Sequence, residues 1–270
     1  MLSVQYFITF TLLLPSQIVG KQPYIINGTL ASIKSNKFVC AIVIKDHNKE
    51  YFKAGAAIVG LYWTITAASV VDIVPESQIN VGNLYIRSNS ERWKKGRKHV
   101  ADKIYKHPKY NPITYDNDIA FVKVKTPFNG PYEKPVKLAG SRYKEEIHAY
   151  MFGWGTDSFY DSTLMEMLQQ TVIVIVNNTV CKRTFNKSVL GKGVTNGMLC
   201  SVNEQTGDCF GDGGGPVVQH HDILIGIISW GRTCGQSDYP SVLTRISKQA
   251  SFIESIDIKF RIGFIYKNFP

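Results

Sequence analysis

The chain has 270 residues, 44% of them hydrophobic and 19% charged, which excludes a disordered or fibrous protein. Its 22 glycines, 14 phenylalanines and 14 tyrosines favour a β-rich fold with many turns. A formal net charge of +10 favours an acidic partner, and with no nucleic-acid-binding motif in the sequence, DNA and RNA are not expected as that partner.

The first twenty residues carry no charged side chain, and an apolar run from Tyr6 to Leu14 is too short to span a bilayer. This pattern predicts a signal peptide over residues 1–20, a short pro-segment over 21–24 and a secreted protein. No other segment is long enough to cross a membrane. An oxidising compartment suits the five cysteines, Cys40, Cys181, Cys200, Cys209 and Cys234, whose odd number leaves at least one without a partner in the chain. No C-x-x-C pair occurs, so neither a metal site nor a cofactor is expected. Asn27, Asn177 and Asn186 open N-x-S/T sequons and are candidate glycosylation sites.

Short apolar runs follow in chain order at 40–44, 56–65, 79–86, 119–124, 149–152, 171–176, 217–218 and 223–229. They are separated by Gly, Pro, Asn and Asp clusters, the pattern of an all-β sandwich or barrel. Between the third and fourth runs lies Arg92-Trp-Lys-Lys-Gly-Arg-Lys98, with five basic residues in seven. Such a run is a solvated loop or a docking site for an acidic protein surface or a glycosaminoglycan. The proline-bearing stretch 125–137 is the expected crossing between two halves of the chain. One helix is predicted, over 247–256.

Six motifs stand in series along this pattern: Ile25-Ile-Asn-Gly28, Trp63-Thr-Ile-Thr-Ala-Ala-Ser69, Asp116-Asn-Asp-Ile-Ala120, Gly153-Trp-Gly155, Gly207-Asp-Cys-Phe-Gly-Asp-Gly-Gly-Gly-Pro216 and Ser229-Trp-Gly231. In this order they resemble the trypsin-like serine proteases, over residues 25 to about 256. Within that family the chain resembles the mite group 3 allergen proteases and their inactivated paralogues in the scabies mite. The resemblance implies two antiparallel six-stranded β-barrels of the chymotrypsin type with a C-terminal helix. The N-terminal barrel is expected over about 25–135, and the second barrel with its helix over 136–270.

It also implies a role for each position. The family's catalytic aspartate matches Asp118, but Ser69 stands where the histidine belongs and Gly213 where the serine belongs. A hydroxyl is no base near neutral pH and a glycine carries no nucleophile. The resemblance therefore implies a non-enzyme, a pseudoprotease acting by protein binding. Complement components in host serum are the expected partners, in immune evasion by a parasitic mite. Two alternatives stay open: a decoy for protease inhibitors or cofactor for an active protease, and a weak peptidase with an unorthodox site.

By the same resemblance Cys181 pairs with Cys200 and Cys209 with Cys234, while Ala54 and Val70 replace both ends of the bridge beside the histidine. Gly211 and Gly213 mark a remnant oxyanion hole, and Gly207, Ser229, Gly231 and Ser241 a remnant specificity pocket. Phe210 and Tyr115 are bulky neighbours of that cleft. Tyr24 precedes Ile25 where activation would need a basic residue, which leaves the partner of Asp212 in doubt.

Overall fold

The computed structural model describes residues 28–140, 148–156, 163–186, 193–202, 212–231 and 240–267. The predicted leader, the Tyr24–Ile25 junction, Asn27, Gly207, Cys209, Phe210, Gly211 and Cys234 lie outside them.

The first half of the chain contributes β1 (Thr29–Leu30), β2 (Val39–Asp46), β3 (Lys49–Gly60), β4 (Trp63–Thr66), α1 (Ala68–Asp72), α2 (Glu76–Asn80), β5 (Leu84–Ser88), β6 (Arg97–Lys106) and β7 (Ala120–Val124). The second contributes β8 (Lys137–Ala139), β9 (His148–Gly153), β10 (Gln169–Val176), α3 (Asn178–Asn186), β11 (Met198–Val202), β12 (Pro216–Gln219), β13 (Ile223–Trp230), β14 (Ser241–Arg245), a 3-10 turn (Ile246–Lys248), α4 (Ala250–Phe260) and β15 (Tyr266–Lys267).

Strands β2, β3, β4, β7, β6 and β5 close into an antiparallel barrel. Register shifts at Ile42/Val43, Ile58/Gly60 and Ala101/Lys103 bend its strands, as closure requires. The β2–β3 hairpin turns through His47 and Asn48, both with positive φ, in the twist that suits a two-residue loop. A second ring of six, β9-β10-β11-β14-β13-β12, closes because β12 pairs with both β13 and β9. The expected double barrel is thus the observed fold.

Several local expectations need correction. The run 56–65 is two strands, broken by a turn at Leu61 and Tyr62. In the run 79–86, Ile79 is a buried residue of α2, and the strand starts only after Gly82 (φ +73) has turned the chain. Arg97 and Lys98 belong to β6 and not to a loop. The C-terminal helix is not the single helix: α1, α2 and α3 also form, the last burying Cys181 and Phe185 on one face. Residues 29–30 join the second sheet, where Gln169 and Gln170 extend past the end of β11 and leave an edge to cover.

Three apolar layers result. Ile42, Ala54, Ile58, Leu84, Ile86 and Val122 fill the first barrel, and Met151, Ile173, Ile175, Leu199, Val217 and Ile225 fill the second. Between them lies the largest layer, in which Phe38, Val43 and Tyr85 meet Phe152, Trp154 and Ile227. Helix α4 reaches back onto the first barrel, with Phe252 5.6 Å from Phe121 and Phe260 4.8 Å from Trp63, ring to ring.

The crossing between β7 and β8 carries a buried polar knot. Glu133 accepts hydrogen bonds from Ser88 Oγ (2.6 Å) and the Gly130 N–H (2.5 Å), and pairs with Arg97 (2.8 Å) and His99 Nε2 (3.0 Å). Burial pushes its carboxyl up, but the bonds from His99, Ser88 and Gly130 outweigh burial and hold it down at about 2.

Candidate functional site

The two barrels meet where β4 runs into α1. Thr66 ends the strand with its hydroxyl on the Gly55 carbonyl (2.8 Å), and Ala67 and Ala68 are fully buried behind it. Ser69 thus enters the first turn of α1, with its N–H and hydroxyl both directed at Asp118.

Asp118 comes from the loop before β7, where Asn117 takes positive φ and its carbonyl accepts from the Ile119 N–H (2.8 Å). Its carboxylate is fully buried and bonded on both oxygens. Oδ1 accepts from the Ser69 N–H at 2.7 Å. Oδ2 accepts from Ser69 Oγ at 2.9 Å and from Ser229 Oγ, on β13 of the other barrel, at 2.5 Å. Thr244 Oγ1 donates to the Asp118 carbonyl at 2.7 Å. Burial raises the Asp118 pKa, and the bonds from Ser229 and Ser69 only partly offset it.

All six histidines lie in described residues, and none is among Asp118's partners. His47, His220 and His221 occupy hairpin turns, and His148 opens β9. His99 is held in the Glu133 knot, and the His107 ring lies 4.7 Å from Phe252.

Gly213 lies beside Val70, the neighbour of Ser69 in α1. Its carbonyl accepts from the Gly55 N–H at 3.0 Å, and its φ lies outside the left-handed region. Among the described residues, a Cβ built on it would meet only Val70 Cγ1, at 3.4 Å, an ordinary contact. The next residue differs: Gly214 has φ +79, and a Cβ there would run into Thr66 Oγ1 and the Gly55 carbonyl. The backbone therefore needs glycine at 214 and not at 213. Val70 extends Cγ1 toward Gly213 and Cγ2 toward Gly214, and Ala54 is buried in the barrel interior. Val70's contact with the Gly213–Gly214 turn was not legible from its sequence position, which carried only the sign of a lost cysteine.

Asp212 is fully buried, with Oδ1 accepting from the Gly155 N–H at 2.8 Å. Added Cβ atoms at Gly153 or Gly155 would collide with its carboxylate, so both glycines of Gly153-Trp-Gly155 make room for this side chain. Of the pocket positions, Ser229 is committed to Asp118, Gly231 is exposed, and Ser241 pairs with Ser201 across β14 and β11. Tyr115 packs against the cluster of Phe185, Trp230 and the Cys181–Cys200 disulfide. Cys40 is an unpaired buried thiol whose pKa is raised by burial and by the nearby charge of Glu133. Asn177 is exposed beside α3, which ends at Asn186. No helix among the described residues is long and apolar enough to cross a membrane.

The family model "Trypsin" matches residues 25–253. Among curated proteins, the chain is 28% identical to "Trypsin, alkaline B" of Manduca sexta, covering 89% of this chain and 91% of that one. It is 30% identical to "Trypsin Blo t 3" of the mite Blomia tropicalis, covering 86% and 85%, and 30% identical to "Trypsin Tyr p 3.0101" of Tyrophagus putrescentiae, covering 74% and 70%. Among solved structures it resembles mouse neuropsin, a serine protease, at a TM-score of 0.73 and 24% identity, over 85% of this chain and 98% of that one.

Proposed function

The chain belongs to the trypsin family, and we propose that this member has kept the fold while giving up peptide-bond cleavage, and acts by binding other proteins. One observation carries the reading. The carboxylate that in this mechanism orients a histidine is engaged instead by the hydroxyl of Ser69, and the facing loop carries Gly213 with no nucleophile. In a serine protease of unrelated fold, losing the serine or the histidine alone costs roughly 10⁶-fold in turnover. Losing both leaves background catalysis, because the members act as one unit.

The geometry adds support. Gly213 is not demanded by its backbone φ, and among the described residues a Cβ there has room beside Val70, which supports a reading in which the glycine is not kept for folding. Asp118 is held by two serine hydroxyls and a backbone N–H, which gives the buried carboxylate a structural role without a histidine.

A role in evading host defence, through complement components of ingested serum, rests on the likeness to inactivated mite paralogues. Fold alone does not reach so far. The test is retention of complement components from serum by immobilised protein, beside an active mite trypsin with its serine chemically blocked. Intact components held by this protein and not by the blocked trypsin support the reading. Fragments newly generated by this protein, or retention no greater than the blocked trypsin's, would overturn it.

A further inference from the structure

Six cations crowd the hairpin formed by β5, the loop 89–96 and the start of β6, and the structure divides them into two sets. Arg87 gives both bonds of its Nη2 to Glu50 (2.6 and 2.8 Å), and its Nη1 donates to the Gly96 carbonyl (2.7 Å). Arg92 pairs with Glu166 at 3.3 Å and Arg97 with the buried Glu133 at 2.8 Å. The arginines thus act as struts, as their planar, bidentate donors favour. Lys94, Lys95 and Lys98 are exposed and, among the described residues, none of them forms a salt bridge, although the charge of Lys98 helps to hold the Glu50 carboxyl down.

Lys98 stands directly opposite Arg87 in the β5–β6 register, a like-charge pairing that costs stability. Glu50 is taken by Arg87, and Lys98 Nζ lies 3.9 Å from the centroid of the buried Tyr85 ring, a cation–π contact. Lys94 lies 5.1 Å from the Trp93 ring.

The platform under these lysines is fixed. Trp93 is only 6% exposed and meets Phe52 edge-on at 5.7 Å. The Glu91 carbonyl accepts from Trp154 Nε1 (2.7 Å) and the Leu168 N–H (2.9 Å), and Arg92 bridges to Met167, which ties the loop to the second barrel. Gly96 lets the hairpin close, since a Cβ there would come within 2.6 Å of the Ser88 carbonyl. A charged surface already held in place binds with little ordering cost beyond the lysine tips.

We propose that Lys94, Lys95 and Lys98 form a docking surface for a sulfated polysaccharide. Protein interfaces concentrate their energy in buried aromatic and arginine anchors. Here the aromatic residues Trp93 and Tyr85 are already buried and the arginines are already paired, so the surface offers point charges without an apolar anchor. Such a surface suits a flexible chain of fixed sulfates better than a folded acidic protein. The rest of the net +10 charge adds long-range attraction. The proposal is independent of whether the cleft cleaves peptides.

The test uses the full chain on immobilised heparin at physiological salt, with hyaluronan, which carries carboxylates and no sulfate, and a polyglutamate peptide as competitors. Lys94→Ala/Lys95→Ala/Lys98→Ala is expected to weaken heparin binding about tenfold or more, with the fold retained by circular dichroism. A control, Lys109→Ala/Lys248→Ala/Lys259→Ala, removes the same charge from exposed positions elsewhere and is expected to bind nearly as the wild type. Wild-type protein that ignores heparin would overturn the proposal. So would equal losses in both triple variants, or polyglutamate competing as well as free heparin.

Discussion

Ser69 meets Asp118 with both of its donors, the backbone N–H 2.7 Å from Oδ1 and the hydroxyl 2.9 Å from Oδ2. One residue therefore satisfies both oxygens of a fully buried carboxylate, with Ser229 adding a second hydroxyl at Oδ2. Removing a partner of a buried charged acceptor costs about 1–3 kcal/mol. Ser69→Ala is expected to lower unfolding free energy by that order in urea titrations. Ser69→Ala/Ser229→Ala should lose more than the sum of the two single changes, because Oδ2 is then left without a hydroxyl. A neutral double variant would mean that neither hydroxyl stabilises the buried carboxylate.

The adjacent glycines give a second contrast. Gly213→Ala places a methyl at an ordinary 3.4 Å from Val70 with unstrained φ, and stability should change by less than about 1 kcal/mol. Gly214→Ala meets φ +79 and a collision with Thr66 and Gly55, and should cost about 2 kcal/mol or more. Equal melting temperatures for the two variants would refute this division of the turn.

Glu133 and Asp118 act in opposite directions with pH. The folded pKa of Glu133 is lowered from 4.5 to about 2, so its contribution is fully present above 4.5 and is lost as pH falls toward 2. The folded pKa of Asp118 is raised above its ordinary 3.8, so the folded state binds the extra proton there, and stability declines as pH rises through that interval. In Glu133→Gln the first contribution disappears, and breaking the buried pair with His99 and Arg97 should cost about 3–5 kcal/mol at pH 7. Urea unfolding from pH 6 to pH 2.5 checks both points: the acid limb should be steep in wild type and shallow in the variant. A steep limb in Glu133→Gln would assign acid sensitivity to another group.

The double barrel was legible because its motifs lie at the strands and turns that build the cleft, from Trp63 to Ser229. The runs at 119–124 and 171–176 are apolar but for Lys123 and Thr171, and they fold as β7 and β10. Strand β6 was missed because Arg97, Lys98, Lys103 and Lys106 give it the composition of a loop, although buried His99 and Ala101 mark its inner face. Asp118 was legible from its motif, whereas its bond to Ser229 joins residues 111 positions apart on different barrels. The Glu133–His99 knot was not foreseen, since its members lie 34 residues apart and belong to no motif. The division of the basic run into paired arginines and unpaired lysines likewise depends on Glu50, Glu133 and Glu166, which lie far away in sequence.

Restoring the two side chains tests how much of the machinery persists. Gly213→Ser is admitted beside Val70, and Ser69→His returns a base next to Asp118. Ser69→His/Gly213→Ser is expected to react with a serine-directed phosphonate at position 213 and to cleave peptide amides roughly 10²-fold or more above wild type. A folded but inert double variant would show that the cleft has diverged beyond these two positions.

Loss of catalysis is tested most directly by the turnover of the unaltered protein. A broad peptide library incubated with purified wild type and analysed by mass spectrometry gives that measurement, beside Asp118→Asn and a buffer blank. The account predicts that wild type, Asp118→Asn and buffer yield the same background of products. Cleavage that persists across independent preparations of wild type and vanishes in a folded Asp118→Asn variant would contradict it.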